Sequence, residues 1–119
     1  MLAYVYSTLR ENSALVSLVD TRIYRHGSAP ENVTKPYITW FVVAGLPDVN
    51  LSDSPYSDNQ TIQIDCWSDT DAQVESIATA VRDALDSAKI VNRINQNNRE
   101  DETRLYRIGI EADFIFARS

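Results

Sequence analysis

Near the end of the chain, apolar and polar residues alternate almost without a break. Tyr106, Ile108, Ile110, Ala112, Phe114 and Phe116 fall on one side, and Arg107, Gly109, Glu111 and Asp113 on the other, with only Ile115 out of pattern. A period of two over that length predicts a half-buried strand about 35 Å long. PYITWFVVA, from Pro36 to Ala44, is a second strand, rich in β-branched and aromatic residues, with proline at the start where no ladder donor is needed. Gln60–Trp67 is a third: Ile62, Ile64 and Cys66 point one way, and Gln63, Asp65 and Trp67 the other. Ile90, Asn92 and Ile94 suggest a modest fourth strand, and Arg22–Arg25 is a brief strand candidate.

Elsewhere the period lengthens to that of a helix. Leu2, Val5, Tyr6 and Leu9 form the stripe of a short amphipathic helix. Asn12-Ser13 offers a cap to a second helical piece carrying Leu15, Val16, Leu18 and Val19. The strongest helix is Asp71–Ser87, in which Val74, Ile77, Ala78, Val81 and Leu85 share one face. Between these elements lie a polar loop, HGSAPENVTK, a long loop over Gly45–Asn59, and the hydrophilic turn NQNNREDE. No repeat or linker divides the chain. The expectation is one domain over residues 1–119, an α+β sandwich with a mostly antiparallel sheet of about four strands packed against two main helices.

Composition narrows the function classes. With 44% hydrophobic and 24% charged residues the chain has the balance of a globular domain. Its one cysteine closes no internal disulfide and builds no Cys-rich zinc module, which fits a reducing compartment. The start, MLAYVYSTLRENS, has no basic residue ahead of its apolar positions and does not read as a secretory signal, so the sequon Asn32-Val33-Thr34 carries little weight. The apolar run Ile38–Leu46 is too short to span a membrane. Net charge is −6, with 17 acidic against 11 basic residues and no basic cluster. Tight nucleic-acid binding needs cations to displace phosphate counterions, and this chain does not offer them. The acidity serves solubility, mimics nucleic acid, or forms a wall that DNA slides past.

The residues with chemical potential gather in IDCWSD, Ile64 to Asp69. Cys66 shares the inward face of its strand with Ile62 and Ile64, the position of a small buried hydrophobe. Asp65, Asp69 and Asp71 would raise a thiol pKa rather than lower it. A cysteine hydrolase would have to recruit His26, the only histidine, from a different loop. Ser68-Asp69-Thr70-Asp71 matches helix capping, as S-x-x-D and, from Thr70 to Gln73, as T-x-x-Q. The same aspartates, with Asp65, match no known spacing for magnesium or calcium. No glycine-rich phosphate loop, G-x-S-x-G or H-E-x-x-H is present. The reading is a non-enzyme with no metal and no cofactor.

The order of the segments resembles a known family. RIYRHGSAP, KPYITWFV, the strand-to-helix run IQIDCWSDTDAQVESIATAVRDAL and the closing YRIGIEADFIFAR are similar to the tail-completion, or tail-terminator, proteins of long-tailed bacteriophages. The specificity lies in order and spacing, above all in IDCW followed by a helix closing with A-V-R-D-A-L, Ala80 to Leu85. Ser76 and Lys35 depart from the family pattern, where alanine and an apolar residue are more usual.

The resemblance implies a virion protein of the tail's head-proximal end. It implies a homohexameric ring that stops tube growth and presents a surface for head joining. Its partners would be further copies of itself, the tail tube protein and a head-completion or neck protein. DNA would pass through without specific binding, and no membrane or cofactor would be involved. On that reading the long loop is a candidate subunit or tube interface through Leu46, Val49, Leu51 and Tyr56. Asp48, Asp53 and Asp58, or Glu100, Asp101 and Glu102, are candidates for an acidic lumen. A head-closure or neck ring protein, and an acidic inhibitor or immunity-type protein, are the alternatives. The loop assignment predicts that deleting Asp48–Pro55 abolishes assembly while the monomer still folds; rings formed by the deleted chain in light scattering would refute it.

Overall fold

Eight elements follow one another in the computed structural model, which describes residues 4–25, 33–47 and 57–117, the side chains of 44–47, 57–58 and 116–117 excepted. α1 (Val5–Arg10) and α2 (Ser13–Val19) precede β1 (Ile23–Arg25), β2 (Tyr37–Pro47) and β3 (Ser57–Ser68). α3 (Asp71–Ser87) follows, then β4 (Val91–Arg99) and β5 (Tyr106–Ala117). The strands form a single sheet in the order β1-β2-β3-β5-β4, with β1 parallel to β2 and every other pair antiparallel.

The alternation read from the sequence decides which face is buried. Ile38 on β2, Ile62, Ile64 and Cys66 on β3, and Ile110, Ala112 and Phe114 on β5 are all fully buried beneath the helices. α3 supplies Val74, Ile77, Val81 and Leu85 to the same core. α1 and α2 add Val5, Leu9, Leu15 and Val19, and the Tyr4 ring meets Phe114 edge-on at 5.7 Å. Asn12 caps α2 by accepting a hydrogen bond from the Leu15 amide at 2.9 Å.

Several expectations need correction. Leu2 lies outside the described residues, and Tyr6 does not join the buried stripe of α1. Tyr6 is 43% exposed with the Arg10 guanidinium over its ring, while Thr8 is buried instead. Capping of α3 uses Thr70, which accepts from the Gln73 amide, but not the Ser68–Asp71 pair. Ser68 instead accepts from the Thr70 amide and donates to the Gln73 side chain.

The long loop is also shorter than expected. β2 continues to Pro47 and β3 starts at Ser57, with Gly45 opposite Gln60 and Pro47 opposite Asp58. Main-chain ladder bonds carry that extension, and neither GLP nor SDN advertises it by hydrophobicity. β4 likewise runs on through Asn95–Arg99, part of what reads as a hydrophilic turn. It is an edge strand whose second half is solvated on both faces, so no apolar alternation is required of it.

Cys66 is a core residue, as its phase predicts. Burial, and then the adjacent Asp65 carboxylate, push its thiol far above the ordinary range. The folded chain therefore keeps a proton that the unfolded chain loses near pH ~8.5, so stability present below that pH declines above it by up to about 1.4 kcal/mol per unit. Urea unfolding between pH 8 and 10 should show this slope, and Cys66→Ala should remove that share of it. Equal slopes in the two proteins would contradict a buried, protonated thiol.

Candidate interaction surface

The face of the sheet turned away from the helices is a structured surface. Directly paired positions on antiparallel strands share a face, so the register sets out its rows. Tyr37, Trp67 and Arg107 lie across β2, β3 and β5 at one end. Thr39, Asp65 and Gly109 form the next row, and Phe41, Gln63, Glu111 and Arg93 the one after, reaching β4.

Asp65 is the centre of this arrangement. Only 4% of it is exposed, and a carboxylate so placed needs charge-assisted partners. Its Oδ1 accepts from Arg107 Nε at 3.1 Å and lies 3.0 Å from a terminal nitrogen of the same guanidinium. Gln63 Nε2 donates to the same oxygen at 3.0 Å. The Arg107 guanidinium also lies over the Trp67 ring, 5.5 Å from its centroid. Trp67 is held in turn by stacking on Tyr37 and by donating its indole N–H to Thr39 Oγ1 at 3.0 Å. Burial, and then Glu100, raise the Tyr37 phenol above its ordinary pKa.

Asn95 completes the network through a defect. The β4–β5 register shifts between Ile94 and Gln96, and the extra residue turns its amide onto the open face. Asn95 Nδ2 donates to Gln63 Oε1 at 2.7 Å while Gln63 Nε2 donates back to Asn95 Oδ1 at 3.2 Å. These amides lie over Gly109, where a Cβ would come within 2.6 Å of Gln63 Nε2 and 2.8 Å of Asn95 Oδ1. The glycine is the space the network occupies. Further along, Arg93 bridges Glu111 and Asp113, and Thr61 donates to Asp113 at 3.0 Å. The hydrogen bonds that Arg93 donates to Asp113 first, and then to Glu111, raise its pKa.

Beyond this polar field the face becomes apolar. Val43, Val91 and Ile115 are each more than half exposed near the hairpin end of the sheet. An ordered polar field bordered by exposed aliphatics can dock a macromolecule. Among the described residues no group of His, Cys, Asp and Glu is placed to hold a metal ion. Asp65 is engaged by Arg107, and Asp69 and Asp71 are exposed at the start of α3.

The expected site residues fall elsewhere. Val49, Leu51, Tyr56, Asp48 and Asp53 lie outside the described residues, as does His26. Leu46 belongs to β2, opposite Asn59, and not to a loop. Asp58 belongs to β3, opposite Phe116 near the end of β5. Glu100, Asp101 and Glu102 are brought together in the β4–β5 turn, at the other end of β5. Asp58 and the Glu100–Glu102 turn are therefore at opposite ends of β5. Asp65, Gln63, Asn95, Gly109 and Arg107 escaped the site reading. The available signal was polar alternation on two neighbouring strands, in phase with a glycine.

Gly109→Ala should destabilise the protein by about 1–3 kcal/mol through overpacking. Urea denaturation measures it, and a midpoint equal to that of the unmodified chain would mean the amides are not locked over the glycine.

Comparison with known proteins accords with this architecture. The chain matches the family model described as Tail completion protein gp17 over residues 3–116. A chain from the virion of a native gene transfer agent particle superposes on it with a TM-score of 0.63. That alignment covers 92% of this chain and 90% of the other at 22% identity, a likeness of fold. No curated protein matches. With a family match spanning nearly every residue, the chain belongs to the tail-completion protein gp17 family and is a structural protein of the phage virion tail.

Proposed function

We propose that this protein forms a ring on the head-proximal end of the tail tube, where it ends tube polymerisation and presents the surface to which the head is joined. The observation that carries the reading is the open sheet face. Its polar groups are internally paired and its apolar border is exposed. A surface already held in one conformation loses little entropy on docking, which suits a terminator that must recognise a finished tube end. The indentation beside α3, of about 530 Å³, is open, and Glu75, Thr79, Arg82, Asp83, Ile94 and Ile108 are among the residues that line it. The role on this reading is non-enzymatic and needs no cofactor.

Its partners on this reading are further copies of itself in a homohexamer, the tube protein, and a head-completion or neck protein. DNA passes the ring without specific binding. The turn Glu100–Glu102, with Asp101 and Glu102 exposed, lines the lumen on this reading, where like charge keeps a passing phosphate backbone from adhering.

Electron microscopy of the purified protein, alone and with polymerising tube protein, tests the proposal, with mass read by light scattering. Six-fold rings, or tubes capped at one end and arrested in length, are the expected result. A monomer that leaves tube growth untouched overturns it, and binding to a portal complex in place of tubes would indicate a neck protein.

A further inference from the structure

Among the described residues no strand lies outside β4, so its nine residues present a row of main-chain donors and acceptors along the sheet edge. The sequence VNRINQNNR does little to discourage an added strand. It has no proline and no lysine, and five of its nine residues are asparagine or glutamine, whose amides form ladders between paired strands. Val91 and Ile94, 67% and 47% exposed, would gain cover from a neighbour. The two arginines are turned back onto their own sheet, Arg93 to Glu111 and Asp113, and Arg99 to lie over Tyr106. In composition, then, β4 invites the β4 of a second copy to pair with it about a two-fold axis.

The bulge opposes that pairing. Val91–Ile94 and Gln96–Arg99 each keep a regular register with β5, and Asn95 between them has no opposite residue. It divides the strand into two runs of four. A bulge also bends its strand and sharpens the twist, so an incoming strand would lose register at its middle.

The bulge is held from within the sheet. Across the space left by Gly109, the Asn95 amide exchanges two hydrogen bonds with Gln63 on β3, and its Nδ2 donates to Glu111 at 3.3 Å. Gln63 is only 5% exposed and is itself anchored on Asp65. We propose that Asn95 is an edge block: it keeps β4 closed to strand addition by a second copy, and Gln63 and Glu111 act through it by holding the bulge in place. The block would act in a monomer and in a ring alike, since both leave copies free to meet through side chains while the sheet itself stays finite.

Deletion of Asn95 removes the bulge without moving any other β4 side chain to the opposite face, because Ile94 stays opposite Ile110 and Gln96 opposite Gly109. Sedimentation velocity and amide hydrogen exchange of the deleted and unmodified chains, over a range of concentration, test the block. The deleted chain should self-associate at least about tenfold more tightly, and its β4 amides should become protected as concentration rises. Asn95→Ala keeps the chain length at an exposed position and frees the bulge from Gln63. It should shift association the same way by a smaller factor, and it alone decides if the deleted chain shows no cooperative urea transition. Association that leaves the β4 amides exchanging freely, or no added association in either variant, overturns the block. So does β4 protection that rises with concentration in the unmodified chain. A deletion that associates through β4 while Asn95→Ala does not would overturn the holding role of Gln63 and Glu111.

Discussion

A nearly buried carboxylate organises the open half of this protein. Removing a charge from water is costly, and Asp65 meets that cost with a guanidinium on β5 and an amide on its own strand. The neighbouring residues follow from that requirement. Arg107 can reach Asp65 because β3 and β5 pair in the register that places Trp67 opposite Arg107 and Asp65 opposite Gly109. The absent Cβ at Gly109 then leaves space for Gln63 and Asn95 above the sheet. Asn95 reaches that space only because β4 carries an extra residue there. A shift of one residue in the β3–β5 register would turn Asp65 into the hydrocarbon core and Cys66 out of it. Asp65 thus penalises slippage from one face while the isoleucines penalise it from the other.

The helix side obeys a simpler rule. Its strands present isoleucine, alanine, cysteine and phenylalanine, and α3 covers them with valine, leucine, isoleucine and alanine. Adjacent residues of one strand consequently live in opposite environments: Cys66 in a core that keeps its thiol protonated, Asp65 in a polar field that keeps it paired. The stretch IDCWSD concentrates unusual residue types because both sides of the sheet and the start of α3 meet there. No reaction is needed to account for it.

How much of this the residues announced depends on what enforced each element. Strands covered on one face, such as β5, declare themselves, since water on one side and core on the other demand alternation. α3 is legible for the same reason at the helical period. The extended ends of β2 and β3 and the second half of β4 are not, because ladder hydrogen bonds hold them and almost any side chain tolerates that. The inward phase of Cys66 was legible, but the role of its neighbour Asp65 was not. Recognising Asp65 requires knowing that Arg107, forty-two positions later, pairs with it across the sheet. Gly109 was visible only as a residue within an alternating run; its meaning depends on a bulge that the sequence of β4 does not mark.

Charge shows the same gap between composition and arrangement. A net of −6 suggests a uniformly acidic surface, yet folding sorts the charges. The negative excess gathers along α3 and the β4–β5 turn, and the α1–α2–β1 end keeps a positive one. On the open face, by contrast, Asp65, Glu111 and Asp113 are neutralised locally by Arg107 and Arg93. Paired charges have little reach through salt, so the open face meets solvent as a nearly neutral surface. The open face is held in one shape by bonds within itself, and the excess charge that composition reports lies off it, on α3 and the β4–β5 turn.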